Sequence, residues 1–166
     1  MSAAQPPEGA RTAAREGEGR AANGAVLHDT PQGREFRWPL RVYWEDTDAG
    51  GIVFYANYLK FLERARTEWL RAMGISQSTL REETGGMFVV SETSVRYLRP
   101  ARLDDELIVT ARLEEAGKAS LIIAQRALLA NPVATNGTLP VLCEGRIRIG
   151  WVDAHRMAPA RIPARI

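Results

Sequence analysis

Between residues 43 and 61 the chain reads YWEDTDAGGIVFYANYLKF, which sets Glu45, Asp46 and Asp48 within four positions and follows them with Gly50, Gly51 and an apolar run. Carboxylates in this pattern suit three kinds of chemistry: a metal loop, a solvated turn, or an acid aimed at a substrate. Asp46-Thr47-Asp48-Ala49-Gly50-Gly51 imitates the first half of an EF-hand loop. The imitation fails at Gly50, which brings no oxygen where a ligand is needed, and at Asn57, which stands where a bidentate Glu should be. No metal site is expected. A plain turn is more natural, because Asp and Thr are turn and cap residues, acids favour helix starts and glycine frees the backbone. A plain turn does not account for the IVFYA lead-in, since an apolar approach marks a buried site, and a carboxylate beside one is poised for chemistry.

The elements around this stretch must position it. EFRWPLRVYWE (35–45) reads as a strand, with Pro39 marking an edge or bulge. From about Ala56 to Met73, Tyr58, Leu62, Ala65, Trp69 and Met73 recur at helical spacing. Leu59, Phe61 and Leu70 widen that stripe, while Glu63, Arg64, Arg66 and Arg71 take the polar side and Gly74 ends the helix. SQSTLREE reads as a short helix capped by Ser76 or Ser78. Four strands follow: MFVVSETSVRYLRP, DELIVTARLEEAG with Leu107, Val109, Ala111 and Leu113 on one face, KASLIIAQRALLA, and LPVLCEGRIRIGWVD. In the last, Val141, Cys143, Ile147, Ile149 and Trp151 oppose Glu144, Arg146 and Arg148. The polar connections EEAGKA and NPVATNGTLP suit antiparallel neighbours. MAPARIPARI, with two prolines, reads as an extended strap. One broad apolar helix and about five strands imply an α+β domain, the helix lying across an antiparallel sheet. Ile122 and Leu142, apolar on the outer side, imply that part of that face is covered, for which self-association is the cheapest means.

The chain of 166 residues suits one domain. Residues 1–34 hold almost no large apolar side chain and read as a disordered tail, leaving 35–166 as the domain. With 22 Lys+Arg against 20 Asp+Glu the formal charge is +2, which calls for no nucleic-acid partner. The single cysteine, Cys143, excludes an internal disulfide and fits a reducing cytoplasm. No apolar run is long enough for a transmembrane segment, and the start of the chain lacks the apolar region of a secretory signal.

The segment EDTDAGGIVFYANYLKFLERARTEWLR resembles the active-site segment of the 4-hydroxybenzoyl-CoA thioesterase-like hotdog family, and most of all its branch of acyl-CoA thioesterases associated with the bacterial Tol–Pal system. FVVSETSVRYLRPARLDDELIV and RIGWVD agree, so the resemblance covers about residues 37 to 163. It implies a hotdog fold, in which a five- to six-stranded antiparallel sheet wraps one long central helix. It also implies a cytoplasmic homodimer or homotetramer with active sites between subunits. The implied reaction is hydrolysis of an acyl-CoA to free acid and CoA. Coenzyme A is then part of the substrate and no separate cofactor is needed; an acyl carrier protein is a further implied partner.

Thioester hydrolysis needs an attacking oxygen and donors where negative charge develops. Asp48 matches the family's catalytic carboxylate, as nucleophile or as general base. The helix start offers free N–H groups and a partial positive charge. The matching donor is the Tyr55 backbone N–H, with Gly51 letting the backbone approach the substrate. Relatives of the Tol–Pal branch often carry His where this chain has Tyr55, so an imidazole-assisted route is not carried over; His28 and His155 lie outside the motif and read as surface residues. CoA phosphates call for a basic rim, for which Lys118, Arg146 and Arg148 are the candidates. Arg96, Arg99 and Arg102 form another basic cluster. Asp46 reads as a loop-shaping acid, Glu63 as a salt-bridge partner of Arg66 or Arg71, Cys143 as a small buried hydrophobe, and Tyr58 and Trp69 as core. The alternative to an enzyme is a non-catalytic adaptor of the Tol–Pal system that binds acyl-CoA or acyl carrier protein. A hotdog dehydratase would need a histidine near the motif.

Overall fold

The computed structural model describes residues 24–130 and 138–166. The chain opens with a hairpin of β1 (Val26–Thr30) and β2 (Gly33–Arg41), followed by a 3-10 turn (Trp44–Asp46) and the long helix α1 (Asn57–Ala72). Helix α2 (Gln77–Thr84) leads into β3 (Gly86–Tyr97), β4 (Glu106–Ala116), β5 (Ser120–Leu129), β6 (Val141–Asp153) and the short β7 (Ala158–Pro159). All strands join one antiparallel sheet in the order β1-β2-β4-β5-β6-β3, with β7 on β6. The sheet packs against α1 as the hotdog resemblance implies, with seven strands where five or six were expected.

The first strand lies ahead of the expected start at residue 35. Residues 24–34, assigned from composition to a tail, form most of the first hairpin, because Val26 and Leu27 pair with Arg37 and Phe36 and the Thr30–Gly33 turn closes them. The Thr30 hydroxyl donates to the Gly33 carbonyl at 2.5 Å. The rest of that expected tail, and most of NPVATNGTLP, lie outside the described residues. Alternation holds where it was clearest: Cys143, Ile147, Ile149 and Trp151 of β6 are buried, as are Leu107, Val109 and Ala111 of β4. Leu113 is exposed, beyond which the β4–β5 register shifts.

Helix α1 meets the sheet through Tyr58, Phe61, Leu62 and Ala65. It comes so close that a Cβ on Gly145 would lie 3.0 Å from both the Leu62 Cδ1 and the Ile147 Cδ1, so a side chain there would require those two ends to give way by a few tenths of an ångström. Gln125, buried on β5, fastens the two layers: its Nε2 donates to the Leu62 carbonyl at 3.0 Å and the Thr110 carbonyl at 3.2 Å. Its Oε1 accepts from Arg66 at 2.6 Å. Arg66, read as polar-side, is therefore half-buried against the sheet, and Glu63 hydrogen-bonds Thr67 instead of pairing with Arg66 or Arg71. Arg71 pairs with Glu68. After β7 the chain is a strap, tied by the Ile162 N–H to the Lys118 carbonyl (2.9 Å) and by Arg165 to Glu83 (2.5 Å). No described helix is long and apolar enough to cross a membrane.

Candidate active site

Strand β2 stops at Arg41, and the Val42 N–H then donates to the Asp105 carbonyl at 2.9 Å. The next residues curl into the 3-10 turn, stabilised because Asp46 Oδ2 accepts the Tyr43 N–H at 2.9 Å. Asp46 is only 5% exposed. Its carbonyl accepts the Phe54 N–H at 2.9 Å and the Asn57 Nδ2–H at 3.0 Å. Asp46 and the buried Asn57 thereby pin the loop to the first residue of α1. Between them the chain folds back on itself: Thr47 bridges Val53, the Asp48 N–H donates to the Ile52 carbonyl (2.9 Å), and the Gly51 N–H donates to the Asp48 carbonyl (2.9 Å). This tip requires φ of +71° at Gly51, a conformation natural to glycine. The base is anchored by the Val53 N–H to the Ala101 carbonyl at 2.9 Å and an Ile52–Arg102 bridge.

Asp48 sits at the exposed tip. Its Oδ1 accepts the Gly50 N–H at 2.8 Å, and its Oδ2 has no partner among the described residues. The chain then runs through Phe54 and Tyr55 into α1, where the Asn57 N–H donates to the Phe54 carbonyl at 2.8 Å. Among the described residues nothing accepts the Tyr55 N–H, which lies two residues ahead of the positive end of a helix of 16 residues. Aromatic side chains collar the loop: Trp44 is 79% exposed, Tyr43 and Tyr55 are each 62% exposed, and Phe54 and Tyr97 also reach solvent. The Tyr55 and Tyr97 rings meet edge to face, centroids 6.1 Å apart. Beneath them Tyr58 is buried and its hydroxyl accepts the Ala101 N–H at 3.0 Å. A carboxylate with a free oxygen and an N–H without an acceptor, both on one pinned loop, are the parts of an acyl-transfer site.

Residues 42–166 match the model of a family described as "Thioesterase-like superfamily". The chain belongs to this superfamily. It is 40% identical over 131 residues to the acyl-CoA thioesterase YbgC of Haemophilus influenzae, covering 79% of this chain and 90% of the relative. To YbgC of Helicobacter pylori it is 32% identical over 124 residues, covering 74% and 90%. Among solved structures, a probable thioesterase from Bartonella henselae superposes with a TM-score of 0.69 at 27% identity, covering 82% of this chain and 99% of the other. A 4-hydroxybenzoyl-CoA thioesterase superposes with a TM-score of 0.71 at 19% identity, covering 78% and 94%, and shares the fold.

Within this thioesterase-like chain, Asp48, Gly51 and Tyr55 lie on the same loop, as read from the sequence. The Gly51 N–H is spent closing the tip, so it is the Tyr55 N–H that stands open. The basic residues are not gathered there. Arg146 pairs with Glu114 (2.6 Å) and Glu115 (2.7 Å), and Arg148 with Glu92 (3.6 Å), on the sheet side opposite the buried residues of β6. Lys118 lies in the β4–β5 turn beside the far half of α1. Cys143 is fully buried, and burial, with Glu144 adding to it, pushes its thiol up to about 12, which removes it as a nucleophile. Sequence reasoning missed the aromatic collar and the pinning role of Asn57. The adjacent pair Tyr43-Trp44 breaks the alternation of a strand read through Glu45, and that break was the available signal.

Proposed function

We propose that the protein hydrolyses acyl-CoA thioesters, with Asp48 supplying or activating the attacking oxygen and the Tyr55 N–H receiving the oxyanion. One observation carries the reading: an open carboxylate oxygen and an acceptor-less N–H at a helix start are held on a single pinned loop. Relatives named acyl-CoA thioesterase at 32–40% identity support the choice of substrate class. The thioester carbonyl oxygen sits against the Tyr55 N–H, where the helix end stabilises the developing charge. Either the Asp48 carboxylate adds to the carbonyl carbon, giving an anhydride that water then opens, or Asp48 takes a proton from a water that adds directly. In both routes the C–S bond breaks, a C–O bond forms and the CoA sulfur leaves as thiolate to be protonated.

Asp48 is exposed on the single chain, and catalysis of this kind is strongest where water is excluded. The aromatic collar, together with β3 at the sheet edge, suits a second copy of the chain that closes the site. Release of free thiol across a panel of acyl-CoAs tests the activity. Asp48→Asn should lower turnover by at least about a hundredfold while leaving the melting temperature unchanged. Wild-type rates in Asp48→Asn would sink the assignment.

A further inference from the structure

Helix α1 is apolar along one stripe for its whole length, yet only its first half is fully buried. Phe61, Leu62 and Ala65 are buried, whereas Trp69 and Leu70 are half-buried and Met73 is exposed. Between this second half and the sheet lies a cavity of about 640 Å³, at the end of α1 away from the Asp48 loop. That volume is within the roughly 300–1,000 Å³ of small-molecule sites. Leu70, Phe88, Leu121 and Ile149 form its walls, and Ile162 and Pro163 of the C-terminal strap cover one side.

Most of the charged side chains that border it are basic. Arg66, Lys118 and Arg161 border it, and none of the three makes an ion pair among the described residues. Glu63 is the one acidic side chain among the described lining residues, and its Oε1 accepts the Thr67 hydroxyl at 2.7 Å. Arg66 is the telling group. Its guanidinium is half-buried and has as its side-chain partner only the neutral Gln125 amide oxygen. Burial pushes its pKa down, with Glu63 acting the other way. Glu63 offsets part of this charge but makes no ion pair with it among the described residues, so an anion supplied from outside finds the half-buried guanidinium open to direct pairing. The amino-terminal residues 1–23 are poor candidates to fill the space, since Met1 is their only large apolar side chain.

We propose that this cavity binds a long-chain fatty acid, its aliphatic chain lying along the apolar walls and its carboxylate pairing with Arg66. The proposal does not rest on the thioesterase reading, because binding is measured without turnover. Titration with 11-(dansylamino)undecanoic acid, followed by displacement with palmitate, reads it directly. Palmitate should displace the probe. Arg66→Met, which keeps the apolar stem, should weaken palmitate by about tenfold or more. The same variant should leave the affinity of uncharged hexadecanol unchanged. Ala164→Trp, on the exposed strap where folding is not at stake, should weaken both ligands by filling the cavity. Failure of palmitate to displace the probe, wild-type palmitate affinity in Arg66→Met, or unchanged binding in Ala164→Trp would each overturn the proposal.

Discussion

Asp46 and Asp48 stand two positions apart, and the fold treats them in opposite ways. Asp46 is buried and spends a carboxylate oxygen and its carbonyl on the Tyr43, Phe54 and Asn57 groups. Asp48 keeps an oxygen free. Each carboxylate accepts one backbone N–H, and the difference is one of burial: Asp46 is tucked under the loop that its carbonyl pins, whereas Asp48 stands at the exposed tip. Tyr58 shows the same economy in the core. Its ring packs with Phe61 and Tyr97, and its hydroxyl satisfies the Ala101 N–H, which has no water to turn to. Tyr58→Phe preserves the ring and orphans that N–H. Denaturant unfolding should show a loss of about 1–3 kcal/mol. A loss near zero would mean that the Ala101 N–H finds another acceptor.

The junction of loop and helix is the element on which the proposed chemistry turns. Asn57 ties α1 to the Asp46 carbonyl and so sets where Asp48 stands relative to the Tyr55 N–H. Asn57→Ala should lower kcat by about ten- to a hundredfold with a smaller change in KM, because misplacement of an attacking group by about an ångström has effects of that size. An equal loss in an acyl-CoA binding assay would instead make Asn57 a binding residue. Much of this element was legible beforehand: the helix bounds, the Ser76 cap of α2, the loop-shaping part of Asp46 and the inward face of β6 all follow from spacing and local hydrogen-bond chemistry. What was not legible has physical reasons. Composition misjudged residues 24–34 because a hairpin held by an edge strand needs few large side chains. Helical periodicity put Arg66 on the polar side because it cannot register a guanidinium drawn inward by Gln125, a partner 59 positions away. Alternation could not reveal that Arg146 and Arg148 pair with acids of β3 and β4.

At the scale of the whole molecule, one feature asks for company and another sets its acid limit. Strand β3 is a sheet edge of 12 residues, with Val90 and Tyr97 exposed along it and Leu98 just beyond. A long unpaired edge that also exposes apolar side chains is a pairing surface. Light scattering should give a mass above that of one chain, and Val90→Lys with Leu98→Lys should return it to one chain and lower thiol release although Asp48 is untouched. The acid limit follows from Glu35. Its buried carboxylate on β2 accepts from Arg37 (3.0 Å) and reaches past β4 to Arg126 on β5 (2.7 Å), fastening β2 to β5 across β4. Burial alone would raise this carboxyl, but the hydrogen bonds and charges of Arg126 and Arg37 outweigh it and hold the group below its ordinary value of 4.5. A carboxyl depressed in the folded state binds protons more readily when unfolded, so its stabilisation is fully present above about 4.5 and is lost as pH falls through the folded value. Glu35→Gln should therefore melt below wild type at neutral pH, and the gap between the two melting curves should narrow once the pH drops beneath 4.5. A gap that stayed constant from neutral to acid would show that the two arginines hold Glu35 by shape and not by charge.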